Sequence, residues 1–338
     1  GARMGRPEKA KPRKLTGSPN VLFPVGNQGG RLRSFQEAMQ HGKVYAEFPI
    51  YFCEECAEET IYYICEKCGK ATRRMAFCEE CKQRVDRKCL RHGEAELYTS
   101  KAIDIKHYFQ AAKNKLNLSD AEVPPLIKGV RGTSSASHIV ENLAKGILRA
   151  AYGLSVNKDG TIRVDLTELP LTHFKPAEVL VSVDRLRELG YTKDIHGKEL
   201  KEENQILELK PHDIVVPICP ESLDERIDEF FVKVAAFVDN LLVRFYGLRP
   251  FYNARTRDDL VGQLVVALSP HTSVGVVGRI IGFSSVQALY AHPLMHSALR
   301  RDADGDEAAL MLLFDCLINF SHYLFTFFSE TAITGVFI

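Results

Sequence analysis

The sequence lacks a surplus of either charge: 44 Lys and Arg face 43 Asp and Glu over 338 residues, so the whole chain argues neither for nor against an anionic partner. It also lacks the composition of a disordered or fibrous protein. Hydrophobic residues make up 45%, with 23 Gly and 15 Pro, enough to build a sizeable core across roughly two domains. No clean apolar run reaches the ~20 residues of a membrane span. The nearest candidate, 308–338, is interrupted by Asp315, Asn319, His322 and Glu330, and reads as a buried helix plus an apolar tail, with no membrane as partner. No secretory leader opens the chain and no solenoid repeat or low-complexity tract runs through it. Its first residues, Gly-Ala-Arg without an initiator Met, read as the start of a piece of something longer.

What is present is unevenly placed. Residues 1–50 carry nine Lys and Arg against three acids, and seven of the nine cysteines fall between Cys53 and Cys89. A long, leaderless chain with cysteines in CxxC pairs is not a secreted disulfide framework; a reducing, cytoplasmic compartment fits. Ser34-Phe-Gln-Glu37 is a capping box that predicts a short helix, and a second, Ser222-Leu-Asp-Glu225, predicts the longest one, with a stripe from Ile227 to Phe245 ending at Gly247. Ile139, Leu143, Ile147 and Ala151 share one helical face closed by Gly153. After the turn Asn157-Lys-Asp-Gly160, the alternation Thr161–Leu166 predicts a strand. Leu260–Leu268 and Val274–Phe283 are short β-branched runs, the second interrupted by Gly275, Gly278 and Gly282, which predicts bent strands and a compact barrel.

The cysteine cluster is the first chemical signal. Cys53/Cys56, Cys65/Cys68 and Cys78/Cys81 are CxxC pairs and Cys89/His92 is a CxxH. A two-residue gap lets both ligands of a tight turn point at one metal, and two turns close a tetrahedron, so eight ligands suffice for two structural Zn²⁺. Sequential use gives a site of Cys53, Cys56, Cys65 and Cys68 and another of Cys78, Cys81, Cys89 and His92. Interleaved pairing and iron–sulfur ligation are the alternatives. Cys219 and Cys316 stand alone in apolar surroundings and read as packing residues.

The second signal is Asp302-Ala-Asp304-Gly-Asp306-Glu307. Three carboxylates at i, i+2 and i+4 repel one another unless a cation neutralises them. Gly305 permits a tight turn, and Mg²⁺ suits a site with few protein ligands completed by phosphate oxygens. A solvated acidic turn and a Ca²⁺ loop are the rival readings, although an EF-hand would need Gly at loop position 6 and Glu at 12.

The aspartate string resembles the metal-binding loop of two-barrel polymerases, the superfamily with double-psi β-barrels that includes the multisubunit RNA polymerases. Its flanks narrow the resemblance. GRPEKAKPRK (5–14), LIKGVRGTS (126–134), DLVGQLVVALSPHTSVGVVGRIIGFS (259–284) and AHPLMHSALRRDADGDEA (291–308) resemble the large, catalytic subunit of archaeal family-D DNA polymerase. The resemblance runs from about residue 5 to residue 320. It implies an α+β fold: a double-psi β-barrel catalytic core fragment with zinc-binding modules and helical or β accessory segments. It implies the end of a first barrel at 1–45, a double zinc module at 46–95, an accessory region at 96–248, a second double-psi barrel at 249–323 and a divergent apolar tail at 324–338, where the family pattern would continue basic. Asp302, Asp304 and Asp306 would then hold catalytic Mg²⁺, with Lys11 and Lys14 facing the same cleft. The implied partners are primer–template DNA, deoxynucleoside triphosphates, a smaller proofreading exonuclease subunit and a sliding clamp.

By chemistry alone, Lys128 and Arg131 are candidates for phosphate contacts, and Gly29-Gly30-Arg31 ahead of the Ser34 helix is a weaker one; the run that holds Lys11, Arg13 and Lys14 reads by itself as a solvated face, and as a phosphate contact through the resemblance. His271, His292 and His296 flank the barrel strands; a lone His is more often a packing residue, though 292 and 296 are near the aspartates. The reading is a DNA-dependent DNA polymerase fragment. The rivals are a non-catalytic zinc-stapled module that binds nucleic acid or a subunit, and an RNA polymerase-like enzyme.

Overall fold

The computed structural model describes residues 17–133, 138–220, 225–269, 275–301 and 306–319, and the backbone of Lys11 and Pro12. The chain divides into two compact units. One comprises Gly1–Arg13, Ile162–Asp239 and Arg249–Ile318; the other comprises Lys14–Thr161, Asn240–Leu248 and Asn319–Ile338.

The second of these carries the seven clustered cysteines, Cys53 to Cys89. Ser34 caps helix α1 (Phe35–His41), its hydroxyl accepting from Glu37 N–H, and left-handed Gly42 ends it. Strands β1 (Lys43–Pro49) and β2 (Tyr98–Asp104) pair antiparallel, so the cysteine segment is an excursion between two strands of one ribbon. Asp104 then caps helix α2 (Ile105–Leu116). Phe23, Phe35 and Phe48 are fully buried with Val21, Val25 and Ile105, so residues 17–48 supply much of this unit's core. Helix α3 (Leu143–Ala151) starts four residues later than the apolar stripe alone suggests. Asn142 sets the start, because its side chain accepts from Ala144 N–H at 3.0 Å.

The first unit is a closed barrel of six strands: β3 (Val164–Pro170), β4 (Asp213–Pro217), β5 (Leu264–Leu268), β6 (Gly275–Ser284), β7 (Leu289–Ala291) and β8 (Glu307–Leu312). Around the barrel they run β3-β7-β4-β6-β5-β8, and β8 closes on β3. β3–β7 and β4–β6 are parallel; the remaining pairs are antiparallel. Two of the six strands therefore come from within 96–248, ahead of the 249–323 stretch in which the sequence places the barrel. Strand β3 does not keep the half-buried alternation of its sequence: Val164, Leu166, Thr167 and Glu168 are all buried, since side chains on both faces are covered. Helix α4 (Ile227–Asn240) buries Phe230, Phe231, Val234 and Val238 as its stripe predicts, while Ser222, Leu223 and Asp224 of the capping box ahead of it lie outside the described residues. Gly282 is needed where it stands, because a Cβ there would lie 2.4 Å from the Val179 carbonyl oxygen. Among the described residues no helix is long and apolar enough to cross a membrane.

Candidate metal centres

The eight predicted ligands gather into two groups, taken in sequence order and not interleaved. Cys53, Cys56, Cys65 and Cys68 form one and Cys78, Cys81, Cys89 and His92 the other, with all ligand atoms of a group within 4.8 Å of one another. Short hairpins carry them: Tyr51–Cys53 pairs with Glu58–Thr60, Ala76–Cys78 with Gln83–Val85, and Lys88–Cys89 with Gly93–Glu94. The separations fit a tetrahedral metal. A Zn–S bond of roughly 2.3 Å places two sulfurs about 3.8 Å apart. Cys53–Cys68 and Cys56–Cys65 measure 3.5 and 3.9 Å, and Cys81–Cys89 measures 3.7 Å. His92 Nδ1 lies 3.2, 3.5 and 3.7 Å from the sulfurs of Cys81, Cys78 and Cys89. Its Nε2 faces Glu80 at 3.0 Å, a contact that fixes the ring so that Nδ1 is the ligand.

Backbone hydrogen bonds and crowding split the thiol acidities within each group. Backbone N–H of Lys70 lowers Cys68 to about 7, and those of Arg91 and His92 lower Cys89 to about 6. Crowding acts oppositely on their neighbours: Cys68 pushes Cys56 up to about 12, and Cys89 pushes Cys81 up to about 11. The four thiols of one group and the three of the other cannot all ionise at such range without a cation.

The backbone repeats a feature that composition hides. The residue after the second ligand of every turn is left-handed: Ala57 (φ 53°), Gly69 (φ 73°), Lys82 (φ 52°) and Gly93 (φ 84°). A left-handed residue turns the chain away from the metal and leaves amide N–H groups near sulfur. Only two of the four are glycine, so Ala57 and Lys82 hold a costly conformation for the sake of ligation.

On the barrel, Asp306 immediately precedes β8, whose residues from Ala308 to Leu312 are buried; it marks the rim where the strand enters the sheet. Its carbonyl oxygen accepts from Glu168 N–H at 2.8 Å, and its half-exposed carboxylate accepts from Arg301 Nη1 at 3.4 Å. Asp302 and Asp304 lie outside the described residues, as do Arg13, Lys14 and His271. The short strand Lys11–Pro12 pairs antiparallel with β3, Lys11 opposite Asp165, which brings its backbone to the flank of the strand that also pairs with β8. His292 caps helix α5 (Pro293–Ala298), Nδ1 accepting from Leu294 N–H at 3.1 Å. His296 is buried, 3.2 Å from the buried Glu168, a residue with no signal in the sequence beyond its place in a strand.

Lys128 and Arg131 belong to the other unit. Asn20 clasps Lys128 on both sides, through Lys128 N–H to Asn20 Oδ1 and Asn20 N–H to the Lys128 carbonyl, each 2.8 Å. Gly129 lies between them because a Cβ would come within 2.6 Å of the Phe23 carbonyl oxygen. Lys128 is half-exposed and Arg131 exposed. Cys219 is buried as expected of a packing residue, and burial raises the half-buried Cys316 thiol to about 11.

Residues 120–331 match the family model described as DNA polymerase II large subunit DP2, catalytic domain, and residues 1–87 match that of its central domain. The DNA polymerase II large subunit of Archaeoglobus fulgidus is 48% identical over 95% of this chain and 28% of its own length. Those of Nanoarchaeum equitans and Pyrococcus furiosus are 46% and 43% identical, over 95% and 96% of this chain and 29% and 26% of theirs. The chain thus spans little more than a quarter of the relatives it matches.

Proposed function

We infer the function of this chain from its family, for it belongs to the DNA polymerase II large subunits. It is a segment of the catalytic subunit of a DNA-dependent DNA polymerase of family D, adding nucleotides to a primer 3′-hydroxyl in archaeal replication. The observation that carries the reading is Asp306 on the rim of a closed six-stranded barrel, the last member of an Asp-x-Asp-x-Asp string. In this reading the barrel is of the double-psi type and is the second of a pair, the first ending at about residue 45.

Carboxylate oxygens are the hard donors that Mg²⁺ selects, and Asp306 already faces a cationic group, so the position tolerates positive charge. Asp302, Asp304 and Asp306 would hold Mg²⁺. Bound there, the ion supplies charge stabilisation for the attacking and leaving oxygens of an in-line displacement. The chain's own work is to converge those carboxylates and to clamp phosphates with Lys11, Arg13, Lys14, Lys128 and Arg131. The two cysteine groups would hold structural Zn²⁺. Primer–template DNA, deoxynucleoside triphosphates, a smaller proofreading exonuclease subunit and a sliding clamp complete the cytoplasmic machinery in this reading.

Asp306→Ala in a full-length large subunit tests it by primer extension. The substitution should lower nucleotide addition far more than tenfold, with zinc content and DNA affinity nearly unchanged, because a carboxylate repels phosphate and contributes nothing to ground-state binding. Extension at more than about a tenth of the parental rate, a loss of only ~1.4 kcal/mol in the barrier, would overturn the assignment.

A further inference from the structure

We propose that Glu168 and His296 are positioning residues for Asp306, acting through a closed ring of four residues at the barrel rim. The proposal rests on the reading of Asp306 as a metal ligand. The ring runs through side chains and backbone alike. Glu168 Oε2 meets His296 Nδ1 at 3.2 Å, with the two side chains 0% and 2% exposed. The His296 carbonyl accepts from Arg301 N–H at 2.9 Å. Arg301 Nη1 donates to Asp306 Oδ2 at 3.4 Å. The Asp306 carbonyl accepts from Glu168 N–H at 2.8 Å, which closes the circuit. Both the backbone and the carboxylate of Asp306 are thereby referred to one buried pair that spans β3 and α5.

Stability alone gives no reason for this pair. The two ionisable side chains are buried and meet at 3.2 Å. An apolar pair of similar volume would pack there without desolvating such groups. What an apolar pair cannot do is fix direction at the rim. Burial pulls His296 down, but the Glu168 carboxylate and the carbonyls of Leu169 and Ala291 outweigh it and raise the imidazole above its ordinary value.

The test uses a full-length large subunit, with single-turnover nucleotide addition measured against Mg²⁺ and nucleotide concentration. Glu168→Ala should lower the maximal rate at least tenfold and raise the Mg²⁺ needed for half-maximal rate, with zinc content and primer–template affinity unchanged. Glu168→Gln keeps an acceptor facing His296 and should restore most of the rate. A pair that only supports folding would reduce the active fraction and leave the Mg²⁺ requirement of the remainder at the parental value; that result overturns the proposal, as does a loss that Gln fails to restore. If Glu168→Ala does not fold, His296→Asn carries the same test, since it keeps the carbonyl that accepts from Arg301. A folded His296→Asn subunit with parental Mg²⁺ dependence refutes the clasp. Asp306→Ala in parallel separates the two ideas: its retention of activity defeats the metal-ligand reading, whereas its loss beside a silent Glu168→Ala defeats only the positioning role.

Discussion

Arg149→Met should open the cysteine-bearing unit at its centre. The Arg149 guanidinium is fully buried and bidentate on Glu141, itself 1% exposed, at 2.7 and 2.8 Å. It also donates to the carbonyls of Asn20 and Gly160 at 3.2 and 3.0 Å. Methionine fills similar volume but removes the guanidinium from the buried Glu141 carboxylate, which also accepts from Leu22 N–H at 3.0 Å, and takes a donor from two carbonyls. Breaking one side of a buried pair costs roughly 3–5 kcal/mol. At ~1.4 kcal/mol per factor of ten, hydrogen exchange at the α3 amides should accelerate between about a hundredfold and a few thousandfold. Asn20 also clasps Lys128, so amides near Lys128 should lose protection with α3. Arg149→Met combined with Glu141→Gln removes the stranded charge and should recover much of the loss. A single variant within fivefold of parental exchange, or a double variant no better than the single, would refute the electrostatic account.

The cysteine groups make three further expectations concrete. Elemental analysis of non-denatured protein should give two zinc per chain, and a ratio near zero or one would contradict two tetrahedral centres. Cys65→Ser should unfold the first hairpin pair locally and halve the zinc content, since one lost thiolate leaves a labile site; retention of two tightly held ions refutes it. Lys82→Gly should raise zinc affinity at the second centre about fivefold, because glycine relieves ~1 kcal/mol of left-handed strain, while Gly69→Ala should weaken the first by a like factor. Equal affinities across these variants, read by competition with a chromogenic chelator, would show that the left-handed turn carries no strain.

How much of this was legible in the sequence depended on how far apart the partners lie along the chain. Each ligand group spans fewer than twenty residues, so spacing alone identifies the eight ligands and favours the sequential sets, while the structure is what excludes interleaving. Capping at Ser34 was legible for the same reason, as donor and acceptor are three residues apart. The start of α3 was missed because the apolar stripe continues through Ile139 while Asn142, a local cap, decides where the helix begins. The left-handed Ala57 and Lys82 could have been inferred from the fourfold recurrence of the turn, but residue type pointed elsewhere. The reach of the barrel was harder. The alternation at Thr161–Leu166 marks a strand but not its partners: the pairing of β3 with β8 joins residues more than a hundred apart, so nothing local assigns β3 and β4 to the barrel.

That long-range closure is also what gives the candidate site its form. A carboxylate string on a loop would be free to spread, since its members repel one another. Here the last residue of the string, Asp306, adjoins a strand that is paired on both sides, with β3 over Val164–Thr167 and with β5 over Val265–Leu268. The next residue of β3, Glu168, turns its buried carboxylate toward His296 of α5, 3.2 Å away. Its N–H holds the Asp306 carbonyl and Arg301 holds the Asp306 carboxylate, so the one described aspartate of the string is tied to the barrel through both its backbone and its side chain.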